Sequence, residues 1–312
     1  MNSGRPAAVL AIDIGGTKTA AAIVDADGTV SSYYREPTRS TAAELWAGLG
    51  TLLDKVLADF GSTPDGIGIG CSGPMNWSDG TVSPLNIPAW QQFPLRRRLC
   101  DRFPGIPVRL HNDAVCVAVG EHWKGAVQGA GNVLGMVVST GVGGGLILGG
   151  RLVDGASGNA GHIGHVVVEP DGPVCTCGGQ GCAEAIASGP AVVAWAQAQG
   201  WRSRTRATGV ELSEDARRGD PIALAALHRA GRALGVAVAS AAQLCDLDLV
   251  VIGGGLSQAG PPLLDPLETA LRKHLRMEYA QHFRVLPARL GQRSGLVGAA
   301  ALVLCEQYWS GV

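Results

Sequence analysis

The chain has no long basic run: 25 Lys and Arg stand against 26 Asp and Glu, for a formal charge of −1. Phosphate-rich partners need clustered cations, so nucleic acid is excluded as the main partner. No apolar stretch reaches the roughly 20 residues that span a bilayer, and no membrane role is expected. The opening Met1-Asn2-Ser3-Gly4-Arg5-Pro6 lacks the build of a signal peptide and runs straight into a strand. There is no short repeat, no redox CxxC, and no GxxxxGK[ST] loop of the Walker type. Charged residues are also scarce, at 16% against 46% apolar, so a well-buried globular protein is expected. At 312 residues it is long for one core, and two domains are expected.

The eight cysteines read as thiols, because nothing marks the chain for an oxidising compartment; a reducing cytoplasm is the expectation. Cys71, Cys100, Cys116, Cys245 and Cys305 lie among apolar or helical neighbours and read as buried thiols. Cys175, Cys177 and Cys182 differ. With His165 they crowd into eighteen residues broken by glycines. Three soft thiolates and an imidazole complete a closed tetrahedral Zn²⁺ site, which is structural because no position remains for substrate. It pins a loop that also carries His162 and Glu184.

Glycine is abundant, with 46 residues against a usual share of about 7%. Its clusters sit beside apolar strands and suggest tight turns and phosphate loops. Val9–Ile12 and Ala20–Val24 read as strands around Asp13-Ile14-Gly15-Gly16-Thr17-Lys18-Thr19, with a hairpin turn at Asp27-Gly28. Thr41–Phe60 has helical periodicity, capped by Thr41 with Glu44 three residues on. Gly66–Cys71 and Val108–Leu110 are strands, and a helix runs from Ala114 to Trp123. The second half repeats this arrangement, with strand Val133–Ser139, turn Thr140–Gly145 and return strand Leu146–Leu148. Helices follow near Pro190–Gln199 and Ile222–Leu244. Strand Leu249–Ile252 ends in Gly253-Gly254-Gly255, and Pro262–Arg276 and Gly295–Gln307 are helical.

Bare backbone in the turn after Asp13 lets N–H groups approach an anion, with donors from Thr17, Lys18 and Thr19, while Asp13 suits Mg²⁺. A plain hairpin with a polar bend is the alternative. A second such turn, one in each α/β unit, allows the pair to face each other across a cleft and hold nucleotide phosphates. A flat adenine then fits against Gly254 and Gly255. At His111-Asn112-Asp113 a strand meets a helix. Asp113 is either the helix N-cap or a general base that accepts the proton of an attacking hydroxyl, with Asn112 orienting that hydroxyl. Asn86, between Pro84 and Pro88, is a turn residue or a rigidly held sugar ligand.

These residues together resemble the ROK (repressor, open reading frame, kinase) family, in its sugar-kinase branch, nearly end to end. The resemblance rests on Asp13–Lys18, Asn112-Asp113-Ala114, Thr140–Gly145, Gly164-His165 with Cys175, Cys177, Cys182 and Glu184, and Gly295–Ala300. It implies a two-domain actin-like ATPase (ribonuclease H-like) α/β fold with an interdomain cleft, a homodimer, and transfer of phosphate from ATP with Mg²⁺ to a hexose. The lobes expected are 1–114 plus 295–312, and 115–294 with the zinc loop. By position, Asp113 resembles the catalytic base. Gly73, Asn86, Asn112, His162, His165 and Glu184 fall at the sugar. Asp13, Gly15, Gly16, Thr17, Lys18, Thr140, Gly141, Gly143, Gly254 and Gly255 fall at the nucleotide and its metal. His165, Cys175, Cys177 and Cys182 fall at the zinc.

Two positions depart from the family pattern. Its glucokinases usually read Glu-x-Gly-His where this chain has His162, and a neutral imidazole offers one donor and one acceptor in place of a carboxylate's acceptors. Glucose at C6 is the expected substrate; a C7-cyclitol, N-acetylglucosamine or N-acetylmannosamine is the alternative that His162 raises. Val115 stands where Asn is common. The family's repressors carry a helix-turn-helix before the first motif, and the twelve residues before Asp13 are too few for one. A non-catalytic binding protein would have lost Asp13, Thr17, Asp113 or Thr140, and all four are present.

Overall fold

The computed structural model describes residues 7–309 and is of mixed α/β class. Contacts group the chain into two compact units. The described parts of Met1–Gly129, Gly145–Ala160 and Arg289–Val312 form the first; Ala130–Gly144 and Gly161–Ala288 form the second.

The first unit opens with β1 (Ala8–Ile14), β2 (Lys18–Asp25), β3 (Val30–Pro37) and α1 (Ala42–Phe60). Then come β4 (Gly66–Cys71), β5 (Met75–Asn76), β6 (Thr81–Val82), α2 (Leu95–Arg102), β7 (Val108–Asn112) and α3 (Asp113–Trp123). The sheet order is β3-β2-β1-β4-β7, with β1 parallel to β4 and β4 parallel to β7. β1 from Ala8 to Ile12 and the whole of β4 are buried because both faces of the sheet are covered. On one side α1 buries Leu45, Leu49, Leu52, Leu53 and Val56 in a core with Ile12, Ile67 and Ile69. Thr41 starts that helix: its hydroxyl accepts the Glu44 N–H and donates to the Glu44 carboxylate.

The chain goes on through β8 (Val133–Val138), β9 (Val142–Leu148), β10 (Arg151–Val153), α4 (Ala183–Ala187), α5 (Gly189–Ala198), α6 (Gly209–Arg217) and α7 (Pro221–Cys245). β11 (Leu249–Gly253), α8 (Pro261–His274), β12 (Arg284–Pro287) and α9 (Ser294–Leu304) complete it. The second sheet runs β10-β9-β8-β11-β12. α9 belongs to the first unit and packs on α3 and β4 at backbone distance. A Cβ on Gly298 would lie 1.6 Å from the Cys116 carbonyl oxygen, and one on Gly68 1.9 Å from that of Ala299. Glycine therefore serves close packing here as well as turns.

Four expectations are corrected. The second glycine-rich turn is only Ser139-Thr140-Gly141; residues 142–145, including Gly143, lie in β9. The cap of α3 is Asn112, whose Oδ1 accepts the N–H groups of Ala114 and Val115, and Asp113 is the first helical residue. α7 is long and apolar enough by composition to cross a membrane, but most of it is buried in the protein, as a core helix is. All eight cysteines are free, yet Cys100 is exposed on the outer face of α2, and Cys245 and Cys305 are partly so.

Candidate active site

In the first unit the end of β1 presents Asp13 above the turn Gly15-Gly16-Thr17. Gly15 donates to the Lys18 carbonyl at 3.0 Å and Thr38 Oγ1 donates to the Gly15 carbonyl at 2.6 Å. Lys18 Nζ donates to Gln292 Oε1. Asn86 is packed on this turn: a Cβ on Gly16 would lie 2.9 Å from Asn86 Cβ. The Asn86 loop is tied back to Gly73, whose carbonyl accepts the Leu85 N–H at 3.1 Å.

From Asn86 a chain of bonds leads to Asp113. Asn86 Nδ2 donates to Ser72 Oγ at 3.2 Å, and Ser72 Oγ donates to Asp113 Oδ2 at 2.7 Å. Asp113 Oδ1 accepts the Ala114 N–H at 2.8 Å. The carboxylate is fixed at both oxygens and keeps lone pairs for an incoming hydroxyl. Asn112 spends its oxygen on the cap, which leaves its amide NH₂ to donate. Ser72, between a strand and Gly73-Pro74, reads in the sequence only as a breaker. Nothing there signals a partner on Asp113.

The two carboxylates stand close. Burial first, then the Asp113 charge, push Asp13 up to about 7, while Lys18 pulls it the other way. Beneath them, burial and the same two carboxylates hold the Cys71 and Cys116 thiols well above their ordinary range, so both form an inert floor. Asp13 also lies 3.1 Å from where a Gly295 Cβ would stand, at the start of α9. A bound cation would favour the ionised form of such a carboxyl, which fits Asp13 to Mg²⁺. Val115 is fully buried, and a Cβ on Gly145 would lie 2.9 Å from its Cα, so packing accounts for its apolar character.

In the second unit the remaining residues gather around the end of β8 and start of β9. Gly254 has φ +97, and a Cβ there would lie 2.3 Å from the Val138 carbonyl, which brings Gly254 and Gly255 beside Ser139 and Thr140. Glu184 Oε2 accepts the Val142 N–H at 2.8 Å and lies 2.7 Å from where a Gly141 Cβ would be. The turn Ile163–His165 docks on the same strand, since a Cβ on Gly164 would lie 1.9 Å from the Val142 carbonyl. The His162 and His165 rings lie 6.0 Å apart.

His165, Cys175, Cys177 and Cys182 bring their ligand atoms within 4.8 Å of one another. Cys177 Sγ to Cys182 Sγ is 3.8 Å, and His165 Nδ1 to Cys175 Sγ is 3.7 Å. A tetrahedron with bonds of about 2.3 Å has edges of about 3.8 Å, so the set fits structural zinc. Burial holds the Cys182 thiol up at about 12, so it keeps its proton until a bound cation displaces it. Cys182 is the N-cap of α4, and Glu184 is two residues further on.

Residues 9–306 match the ROK family. A curated glucokinase from Streptomyces coelicolor is 35% identical over 308 residues, covering 94% of this chain and 96% of that one. An N-acetylmannosamine kinase from Escherichia coli O7:K1 is 36% identical over 302 residues, covering 96% and 99%. Among solved structures, a ROK family glucokinase from Streptomyces griseus in complex with glucose and AMPPNP superposes with a TM-score of 0.83 at 36% identity, covering 95% and 98%. The α/β fold is accordingly that of the actin-like ATPases.

Proposed function

The chain belongs to the ROK family, and from that premise we propose that it is an ATP-dependent sugar kinase that phosphorylates glucose or a glucose-like sugar, at the C6 hydroxyl. Asp113 accepts the hydroxyl proton as the oxygen attacks the γ-phosphorus in line; the bond from phosphorus to the β–γ bridging oxygen breaks and ADP leaves. Gly73, Asn86, Asn112, His162, His165 and Glu184 are the sugar ligands on this reading. His165 turns Nδ1 to the thiols, which leaves Nε2 for a hydroxyl. The turns at Gly15, Gly16, Thr17 and Lys18 and at Thr140 and Gly141 receive phosphates; Gly143 lines β9 beside the second turn, and Gly254 with Gly255 faces the base. Mg²⁺ at Asp13 supplies positive charge to the phosphates, and zinc is structural.

The observation that carries this reading is the carboxylate of Asp113, bonded through Ser72 to Asn86 on the Gly16 turn. A coupled ATP assay over a panel of hexoses tests it. Turnover on glucose, abolished by Asp113→Asn in protein that keeps its zinc, is the expected result. No turnover on any panel member, or full activity in Asp113→Asn, overturns it.

A second reading has its own support. His162 replaces a carboxylate usual in the family's glucokinases, and an N-acetylmannosamine kinase is 36% identical. On this reading an N-acetylated hexosamine or a C7-cyclitol is the better substrate; a higher kcat/KM for glucose than for any of these removes it. We also propose a homodimer in the cytoplasm, tested by light scattering and fractionation.

A further inference from the structure

We infer that His111 and Asp154 form a positioning pair for the base, an inference that rests on the assignment of Asp113 just made. His111 has no exposed surface, and Asp154 is 8% exposed. The imidazole Nδ1 accepts the Asn112 backbone N–H at 2.8 Å, so Nδ1 carries no proton. The proton is on Nε2, which donates to Asp154 Oδ1 at 2.9 Å. One tautomer satisfies both bonds; the other sets an N–H against an N–H. Trp77 packs beside the ring at 6.0 Å.

Each end of the pair holds something that matters. The Asn112 N–H lies where β7 gives way to α3, and Asp113 is the next residue. The direction of that peptide sets where both the cap and the base side chains point. Asp154 opens a loop closed by the Ala160 N–H on its own carbonyl at 3.1 Å. In the same loop Asn159 grips the backbone of Met75 in both directions, at 2.8 Å and 3.2 Å. The loop therefore braces the strand end that bears the base and the segment just after Gly73. Its next residues are Gly161 and His162.

A buried His–Asp pair is also good core cement, and the two roles differ in what they cost. Loss of cement lowers the amount of folded protein. Loss of positioning lowers turnover per folded molecule, because a shift of about 1 Å in a reacting group costs up to about a hundredfold. Asparagine at 154 can turn its amide toward Nε2 and so favour the opposed tautomer.

The test uses the full, zinc-loaded chain with Asp154→Asn, His111→Asn and His111→Leu, and with Asp113→Asn as control. Turnover is counted per ATP-binding site by calorimetry, so unfolded molecules drop out, and ¹⁵N spectra of the imidazoles read the tautomer. Asp154→Asn is expected to lower kcat about 10- to 100-fold with sugar KM changed less than about threefold, and to mix the His111 tautomers. His111→Asn keeps an acceptor at the δ position for the Asn112 N–H, and is expected to retain several-fold more turnover than His111→Leu. Wild-type turnover per site in Asp154→Asn, or equal losses in the two His111 variants, overturns the pair. If Asp113→Asn is inactive while Asp154→Asn is unaffected, only this inference falls. If Asp113→Asn is active, the assignment of the base falls with it.

Discussion

Asp113 and Glu184 occupy matching places in the two units. Each is the acid in the first turn of a helix, and each accepts a backbone N–H, from Ala114 and Val142. What holds the helix differs. α3 has eleven residues, a side-chain cap from Asn112, and a long contact with α9. α4 has five residues, and its N-cap Cys182 makes no capping bond. A helix of one turn and a half does not stand on its own. Asp113 stands on a helix held by the core; Glu184 stands on a short helix that buries Ala183, Ile186 and Ala187, and the residue before that helix is one of four candidate metal ligands. Burial supports both acids, and the second has in addition a loop that a bound cation would close.

Removing the cation is the harshest way to break this comparison. Stripping the zinc, or Cys182→Ser, is expected to lower kcat/KM by at least about a hundredfold. Amide exchange should rise over 165–187 and stay unchanged over 108–123. Equal loss of protection in both segments would mean that the two acids share one support.

Cutting the support of Asp113 is milder. Ser72→Ala removes the donor on Oδ2 and leaves the Ala114 N–H on Oδ1. A hydrogen bond to a charged group contributes about 1.5 kcal/mol at the low end of its range, and the Ala114 bond survives, so kcat should fall about tenfold, with the zinc content unaltered. An unchanged kcat would show that the helix terminus alone fixes the base.

The comparison also explains what could be read in the sequence. The candidate metal ligands stood out because soft donors at short spacing have few other uses, and their local loop brings them together. The fold of the first unit was legible in apolar runs such as Val9–Ile12, and the start of α1 in Thr41 and Glu44. β3 gave no signal, because its sequence Val-Ser-Ser-Tyr-Tyr-Arg-Glu-Pro belongs to a partly exposed edge strand with no apolar alternation. Ser72 and Asp154 gave none either, since their partners lie 41 and 43 residues away and a lone Ser or Asp announces no partner. Gly143–Gly145 misled for a different reason. Glycine marks both a turn and a crowded strand, and a Cβ on Gly144 would lie 2.7 Å from the Gly135 carbonyl. Composition cannot separate the two; the packing does.

The smallest effect comes from the charge that Asp113 imposes on its neighbour. With Asp13 raised to about 7 from 3.8, the folded chain holds a proton that the unfolded chain releases. Stability from this group is full below pH 4 and is lost as pH rises through 7. Asparagine at 13 does not titrate, so in magnesium-free buffer Asp13→Asn should gain on the wild type from pH 5 to about pH 7 and level off by pH 8. The shift alone sets a ceiling of about 4 kcal/mol; partial exposure of Asp13 to water reduces the expected gain to about 1–2 kcal/mol. Added Mg²⁺ favours the ionised carboxylate and should narrow the gap at pH 8. Thermal melts of the two proteins across that range measure it. A difference that stays flat with pH would mean that Asp13 is ionised throughout, and that the neighbouring carboxylate is better screened than its distance from water suggests.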